Sequence, residues 1–382
     1  MDEVANYLRS GKTPEDIKLE YSIKFRRHGL YPNLISFSYD QFASDMSLPI
    51  CREARGIVLD EADNWRCVCR PFEKFFNLGE PNAAKIRWED AWVEPKLDGS
   101  MICMWWYRDG WEFSTTGTPD AEASVDNFGE TFRDKFIRCL ESKGIAIPPA
   151  PHLLYIESPW RADIYYLTYI FEFMDGENPI VVRHEKTDIA LLGIRDNHTG
   201  DWRPKILPPW FDGVEIVRPL AIPATVESVV EAASLLNGFK DEGFVILGSI
   251  GHEDGYERIG RIKVKSPDYL MKHRFKYAIT EERLMDVAKT GETEEIVSTF
   301  PELAERLEAM KSALMDYADL VDTKYLELMA KMKKDFSRKE FALAASGEMA
   351  WIMFKMLDKN SDAMPILRET DSKKLLRLVD GR

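Results

Sequence analysis

The sequence predicts an α+β protein, strand-rich over residues 1–267 and all-helical over 268–382. Three observations carry that prediction. Short apolar or alternating runs recur up to Lys265, each bounded by Gly, Pro, Asp or Asn. After Pro267 no alternating run remains, and apolar residues recur at helical spacing. The charge is uneven as well: residues 268–382 hold 20 Lys and Arg against 22 Asp and Glu, whereas residues 1–267 hold 31 against 43.

Taken in chain order, the predicted strands are Gly56–Asp60, Met101–Tyr107, Leu153–Glu157, Tyr169–Met174, Gly243–Leu247 and Arg261–Lys265. Two helices fall between them. Ala121–Lys143 spaces Phe128, Phe132, Phe136 and Leu140 along one face, and Thr225–Leu236 opens on Thr225 as its cap. In the last third, Leu303, Leu307, Met310, Leu314, Tyr317 and Leu320 mark one long helix with Pro301 in its first turn. Ser337-Arg-Lys-Glu340 reads as a capping box, and Trp351, Phe354 and Met356 continue a buried helix. Core packing explains these Met and aromatic stripes without a cofactor. No repeat of solenoid period is present.

The composition excludes several classes. A chain of 382 residues suits two or three domains and buries a sizeable core unaided. Its net charge of −14 argues against a general nucleic-acid coating protein, though not against a local basic site. Cys51, Cys67, Cys69, Cys103 and Cys139 form no CxxC pair, and Cys67 and Cys69 would share one face of a strand. Reduced, partly buried cytosolic thiols are the expectation, not zinc. The acidic start Met1-Asp2-Glu3 is unlike a signal or transit peptide, and no apolar run is long enough for a transmembrane helix. Walker A, GxGxxG, HExxH and GxSxG patterns are absent. The six histidines lack metal-ligand spacing. Lys331, Lys333, Lys334, Arg338 and Lys339 cluster tightly, and a solvated helix face explains them better than a phosphate-contacting patch.

One constellation stands out. Lys96-Leu97-Asp98-Gly99 places an amine at the edge of a tight turn before a strand. Alone this pattern is weak. Glu172 sits inside an apolar strand, where a carboxylate is costly unless it is paired or binds a ligand. Glu242-Gly243 opens another strand. Lys263 and Lys265 leave one face of a third, and a phosphate between them would relieve their repulsion. Arg55-Gly56 and Lys74-Phe75-Phe76 lie upstream.

Together, Lys96-x-Asp98-Gly99, Phe171-Glu172-Phe173, Glu242-Gly243 and Lys263-Val264-Lys265 resemble motifs I, III, IV and V of the covalent nucleotidyltransferases. That superfamily comprises ATP-dependent DNA ligases, RNA ligases and mRNA capping enzymes. Glu53-Ala54-Arg55-Gly56-Ile57-Val58, Arg70-Pro71-Phe72-Glu73-Lys74-Phe75-Phe76-Asn77 and the helical last third resemble the T-even phage RNA ligase 1 family more narrowly. The resemblance covers most of residues 50–270. It implies a nucleotidyltransferase domain (1–267) of antiparallel sheets with flanking helices. An all-helical domain (268–382) would follow, with a role in RNA specificity.

The function implied is ATP-dependent joining of RNA 5′-phosphate and 3′-hydroxyl ends through lysyl-AMP and RNA-adenylate, in RNA or tRNA repair. Lys96, Lys263 and Lys265 would be catalytic. Arg55, Lys74, Phe76, Gly99, Glu172, Glu242, Lys263 and Lys265 would join Lys96 in binding ATP. Glu172 and Glu242 would hold Mg²⁺ or Mn²⁺. The expected partners are RNA ends, nicked tRNA among them, and an end-healing kinase-phosphatase. A cytosolic monomer without a membrane is expected, in the host cytosol if a virus encodes it. The alternatives are a catalytically silent RNA-end-binding protein on the same fold, and a DNA ligase or capping enzyme. Both of the latter resemble chains that continue after motif V into a strand-rich domain, which this chain lacks. One departure is clear: the family has a basic residue in the strand after motif I. Here Ser114-Thr115-Thr116-Gly117-Thr118 has none, and Thr116 can donate a hydrogen bond but cannot neutralise charge.

Overall fold

The computed structural model describes residues 2–123, 130–145, 164–177, 181–182, 184–207, 211–251, 258–274, 280–333, 336–345 and 347–380. It divides into two compact units, Met1–Lys272 and His273–Arg382. The predicted strand Leu153–Glu157 lies outside the described residues.

In the first unit the strands are β1 (Ile23–Arg27), β2 (Leu34–Tyr39), β3 (Arg55–Asp60), β4 (Arg66–Cys69), β5 (Phe76–Asn77), β6 (Trp92–Lys96) and β7 (Ser100–Tyr107). They continue with β8 (Gly110–Thr115), β9 (Leu167–Met174), β10 (Asp188–Asp196), β11 (Trp202–Arg203), β12 (Glu215–Ile216), β13 (Gly243–Ile250) and β14 (Arg258–Lys265). Three sheets result, in the orders β1-β2-β3-β4, β11-β10-β9-β7-β8 with β12 on β10, and β5-β14-β13-β6. Pairing is antiparallel except for β10 with β12 and β14 with β5.

Each sheet is covered by what its sequence leaves apolar. The first packs Ile35, Phe37, Ile57 and Leu59 against Val4, Leu8 and Ile17 of the N-terminal helices. Its other face meets the central sheet through Val58, Cys69, Cys103, Trp105 and Ile170. The far face of the central sheet buries Phe113, Phe171 and Phe173 against Phe136 and Leu140 of helix Phe132–Ser142. The third sheet lays Ile246, Ile262 and Val264 under Val229 and Ala233 of helix Val226–Ser234. Such burial of apolar surface is the main favourable term in the fold.

Local sequence sets the helix ends. Thr131 and Asp134 form a capping box, so the helix begins at Phe132 and not at the predicted Ala121. Ala121 itself has a φ of 55°, incompatible with a helix start there. Thr225 caps its helix as expected, accepting from the Ser228 amide. Cys67 and Cys69 do not share a face. A bulge between Val58 and Leu59 on the facing strand shifts the register, so Cys67 joins the N-terminal core and Cys69 the core beside Trp105. All five cysteines are free and buried.

The second unit is helical throughout its described residues. Its longest helix, Ala304–Lys331, follows a 3₁₀ turn at Pro301–Leu303. Leu307, Leu314 and Tyr317 are buried as predicted, but the seam then shifts from Leu320 to Val321. Ser337 and Glu340 form the predicted capping box. In helix Ala350–Lys359 the buried side chains are Ile352, Met353 and Met356, while Trp351 and Phe354 are half-buried. Among the described residues no helix is long and apolar enough to cross a membrane.

Candidate active site

Strand register assembles the site. Lys96, at the end of β6, pairs with Gly243 of β13, and Gly243 pairs in turn with Lys265 of β14. The middle residue has to be glycine. Its φ is 150°, and a Cβ there would lie 2.2 Å from the Val264 carbonyl oxygen. Glu242, one residue earlier, therefore reaches both lysines. The Lys96 Nζ donates to Glu242 Oε2 at 2.6 Å, and the Lys265 Nζ lies 3.0 Å from Oε1. Burial alone would raise the Glu242 pKa, but the two ammonium groups outweigh it and hold the carboxyl below its usual range.

Beyond Lys96 the chain crosses to the central sheet. Asp98 fastens that turn: Oδ2 accepts the amides of Val181 and Val182, and Oδ1 accepts the Tyr269 hydroxyl at 2.8 Å. Gly99 lets the turn lie on β9, since a Cβ there would sit 2.3 Å from the Phe173 carbonyl oxygen. That approach sets the turn beside Glu172. Glu172 makes no hydrogen bond or ion pair among the described residues. Burial pushes its pKa up to about 7; Lys96 opposes the rise and Glu242 adds to it. A half-buried carboxylate with no protein partner, next to an amine, is suited to a cation or to a ligand's own donors.

Of these groups Lys96, Gly99 and Glu172 line a cavity of about 600 Å³, with Arg55, Phe75, Thr116 and Arg261 also in its wall; Asp98, Glu242 and Lys265 stand behind it. A second cavity of about 830 Å³ adjoins it and shares Phe72, Phe75 and Arg261. Arg55 faces the first cavity, its guanidinium 5.5 Å from the Phe75 ring. Lys74 lines the second cavity and not the first, its ammonium over the rings of Tyr39 and Phe76. Phe76 likewise lines the second cavity and not the first. It pairs with Ile262 in β5 and is 3 % exposed. Phe75, its neighbour, borders both cavities. Lys263 places its ammonium 5.1 Å from the Phe75 ring and does not line the first cavity.

Glu172 and Glu242 also part company as metal ligands. Both Glu242 oxygens face ammonium groups, which leaves Glu172 as the carboxylate open to a cation. Two contributors to the wall were missed in the sequence, Phe75 and Arg261. The signal for Arg261 was present: the alternation that sets Lys263 and Lys265 on one face extends two residues back to it.

Residues 53–279 match the model of a protein family described as RNA ligase. An RNA ligase of Rhodothermus phage RM378 is 27% identical over 392 aligned positions, covering 84% of each chain. A protein of Autographa californica nuclear polyhedrosis virus, whose name couples polynucleotide kinase with RNA ligase, is 26% identical over 80% of this chain and 42% of its own. RNA ligase 1 of bacteriophage TS2126 is 29% identical over 46% of this chain and 42% of its own. Among solved structures, a Naegleria gruberi RNA ligase aligns with 49% of this chain and 52% of its own. Its TM-score is 0.30 at 17% identity, too distant to argue from. The family match spans more than half of the chain and contains Lys96, Glu172, Glu242, Lys263 and Lys265. This protein belongs to the RNA ligase family.

Proposed function

We propose that this protein uses ATP to join RNA 5′-phosphate and 3′-hydroxyl ends, with Lys96 as the nucleophile. The observation that carries the proposal is the Lys96–Glu242–Lys265 row, whose Lys96 end lines a cavity together with Glu172, a carboxylate unpaired among the described residues. In the first step the Lys96 Nζ loses a proton and attacks the α-phosphorus of ATP. The Nζ–P bond forms as the bond to pyrophosphate breaks. AMP then passes from Lys96 to an RNA 5′-phosphate, and a 3′-hydroxyl displaces it to seal the strand.

A free lysine has a pKa near 10.4, so nearly all of it is protonated at pH 7 and a poor nucleophile. Glu242 stays ionised between two ammonium groups and is thus a weak base. Its part is to aim Nζ. Lys265 adds a second positive charge beside the nucleophile, which attracts the α-phosphate. Arg55 faces the same space and can meet phosphate oxygens.

The cavity suits Mg²⁺ or Mn²⁺ in one respect, the open Glu172 carboxylate. Among the described residues no group of three or more His, Cys, Asp and Glu side chains could hold a metal ion. Glu172 and the substrate's phosphate oxygens would therefore hold such an ion, as is usual for Mg²⁺. When bound, it would polarise the α-phosphate as a Lewis acid.

The helical unit, 268–382 in the sequence reading, is assigned RNA specificity, with broken tRNA as the substrate class. The kinase-coupled viral relative supports an end-healing partner. Incubation with ATP, Mg²⁺ and a 5′-phosphorylated RNA oligomer tests the proposal. Circular or joined RNA is expected, with no joining of the matching DNA and affinity that falls with salt. Joining of DNA but not RNA, or no joining with any nucleotide, would overturn it.

A further inference from the structure

We propose that Arg261 anchors a phosphoryl-binding site on the wall between the two cavities, separate from the α-phosphate that Lys96 attacks. The inference rests on the ligase reading and extends it. Arg261 lies on the same face of β14 as Lys263 and Lys265, and borders both cavities. Its guanidinium is 3.8 Å from the Trp202 ring centre and 4.9 Å from that of Phe72. Those two rings stack at 4.9 Å and 26°. Both rings hold the cation, and a guanidinium characteristically stacks its flat face on such rings. A guanidinium held that way keeps the N–H groups along its edge for an in-plane partner, the geometry of a two-point phosphate contact.

No such partner comes from the described residues. Arg261 makes no hydrogen bond or ion pair among the described residues. The acids that act on it are already engaged. Both Glu94 oxygens accept from Lys205 at 2.7 Å, and Glu73 Oε1 accepts from Arg195 at 2.9 Å. The local balance is three cations to two carboxylates. Burial, and then the like charge of Arg195, push the Arg261 pKa down to about 9. Lys74 and Arg258 add positive charge around the second cavity. Thr116, just after β8, brings no charge to the wall of the first cavity, to which Arg261 brings a cation.

The phosphoryl group could come from the outer phosphates of ATP or from the RNA 5′ end. Two ligands separate these sources by calorimetry: inorganic pyrophosphate, and an RNA oligomer with a 5′-phosphate compared with its 5′-hydroxyl form. Arg261→Met keeps the bulk on Trp202 and removes the charge. It is expected to weaken at least one of them tenfold or more. Loss for pyrophosphate alone assigns the nucleotide. Loss of the 5′-phosphate preference alone assigns the RNA end. Loss of both means that one site serves each in turn. Arg261→Lys, which keeps charge but not the fork, should fall between Met and wild type, and it carries the test if the Met variant melts early. Affinities within twofold of wild type for both ligands overturn the proposal. Lysyl-AMP formation by the wild type is scored separately. If it occurs and binding is unchanged, only this inference fails. If it does not occur but Arg261→Met loses phosphate binding, the site stands and the ligase reading fails.

Discussion

Two lysines of the first unit sit in ion clusters built in opposite proportions. Lys135, on helix Phe132–Ser142, is 2 % exposed and meets two carboxylates, Asp175 at 2.8 Å and Glu177 at 3.2 Å, the second shared with the guanidinium of Arg138. Lys96 is 20 % exposed and shares one carboxylate, Glu242, with a second ammonium. For Lys135, burial acts to lower the pKa, but the hydrogen bonds and charges of Asp175 and Glu177 outweigh it and raise the group above its usual value. That lysine is locked as a cation and ties the helix to the end of β9. At Lys96 two ammonium groups meet on one carboxylate, Glu242. The strand that ends near Asp175 carries Glu172 three residues earlier, beside Lys96 and without a partner. The same residue types thus serve structure where carboxylates outnumber ammonium groups and, on the proposed function, phosphate chemistry where the ratio is reversed.

Mutations can break this contrast. The largest effect is expected for Lys265→Ala, which restores one carboxylate per ammonium at Lys96. Formation of lysyl-AMP should slow by about 100-fold to 1000-fold, the scale for losing one preorganised charge, while the melting temperature holds. A melt that collapses with the activity would make Lys265 structural. Lys135→Met should invert the pattern. It leaves Asp175 buried without its cation and should cost about 3 kcal/mol in denaturant unfolding. AMP transfer per folded molecule should match wild type. A selective loss of transfer would show that the two clusters are coupled.

Glu172 gives a smaller, pH-dependent effect. Its folded pKa of about 7 lies above the ordinary 4.5, so the folded chain keeps a proton that the unfolded chain releases. The stability this contributes is full below about pH 4.5 and is lost as pH rises through 7. Glu172→Gln never ionises and keeps it. The variant and wild type should unfold alike at pH 4.5, and the variant should be more stable by about 1–3 kcal/mol at pH 8. Its lysyl-AMP formation should be impaired throughout, while that of wild type should rise through pH 7 as Glu172 ionises to receive a divalent cation. Equal stability at pH 8 would mean that Glu172 is solvated.

The contrast also marks what a reader of the sequence alone can reach. The strands that carry Glu172, Gly243 and Lys263 through Lys265 were legible as short apolar or alternating runs bounded by turn residues, whereas β6, which ends on Lys96, was read only as the edge of a turn. So were the caps at Thr225 and Ser337, which depend on three or four adjacent residues. The Glu242 link between Lys96 and Lys265 was not, because it arises from register among three strands far apart in sequence. The place of Phe75 in both cavity walls was not legible, because β5 is only two residues long, too short for alternation to set its inward face. Arg261 could have been read from the alternation of β14. Its lack of a partner could not, since it follows from Lys205 and Arg195 claiming Glu94 and Glu73.

The central claim is that Lys96 is a nucleophile and Lys135 is not. Intact mass after incubation with ATP and Mg²⁺ tests it most directly, with wild type, Lys96→Ala and Lys135→Met side by side and each sample first treated with pyrophosphate to clear any AMP already attached. The account predicts a gain of one AMP in wild type and in Lys135→Met, and none in Lys96→Ala. An adduct on Lys96→Ala, or no adduct on any of the three, would contradict it.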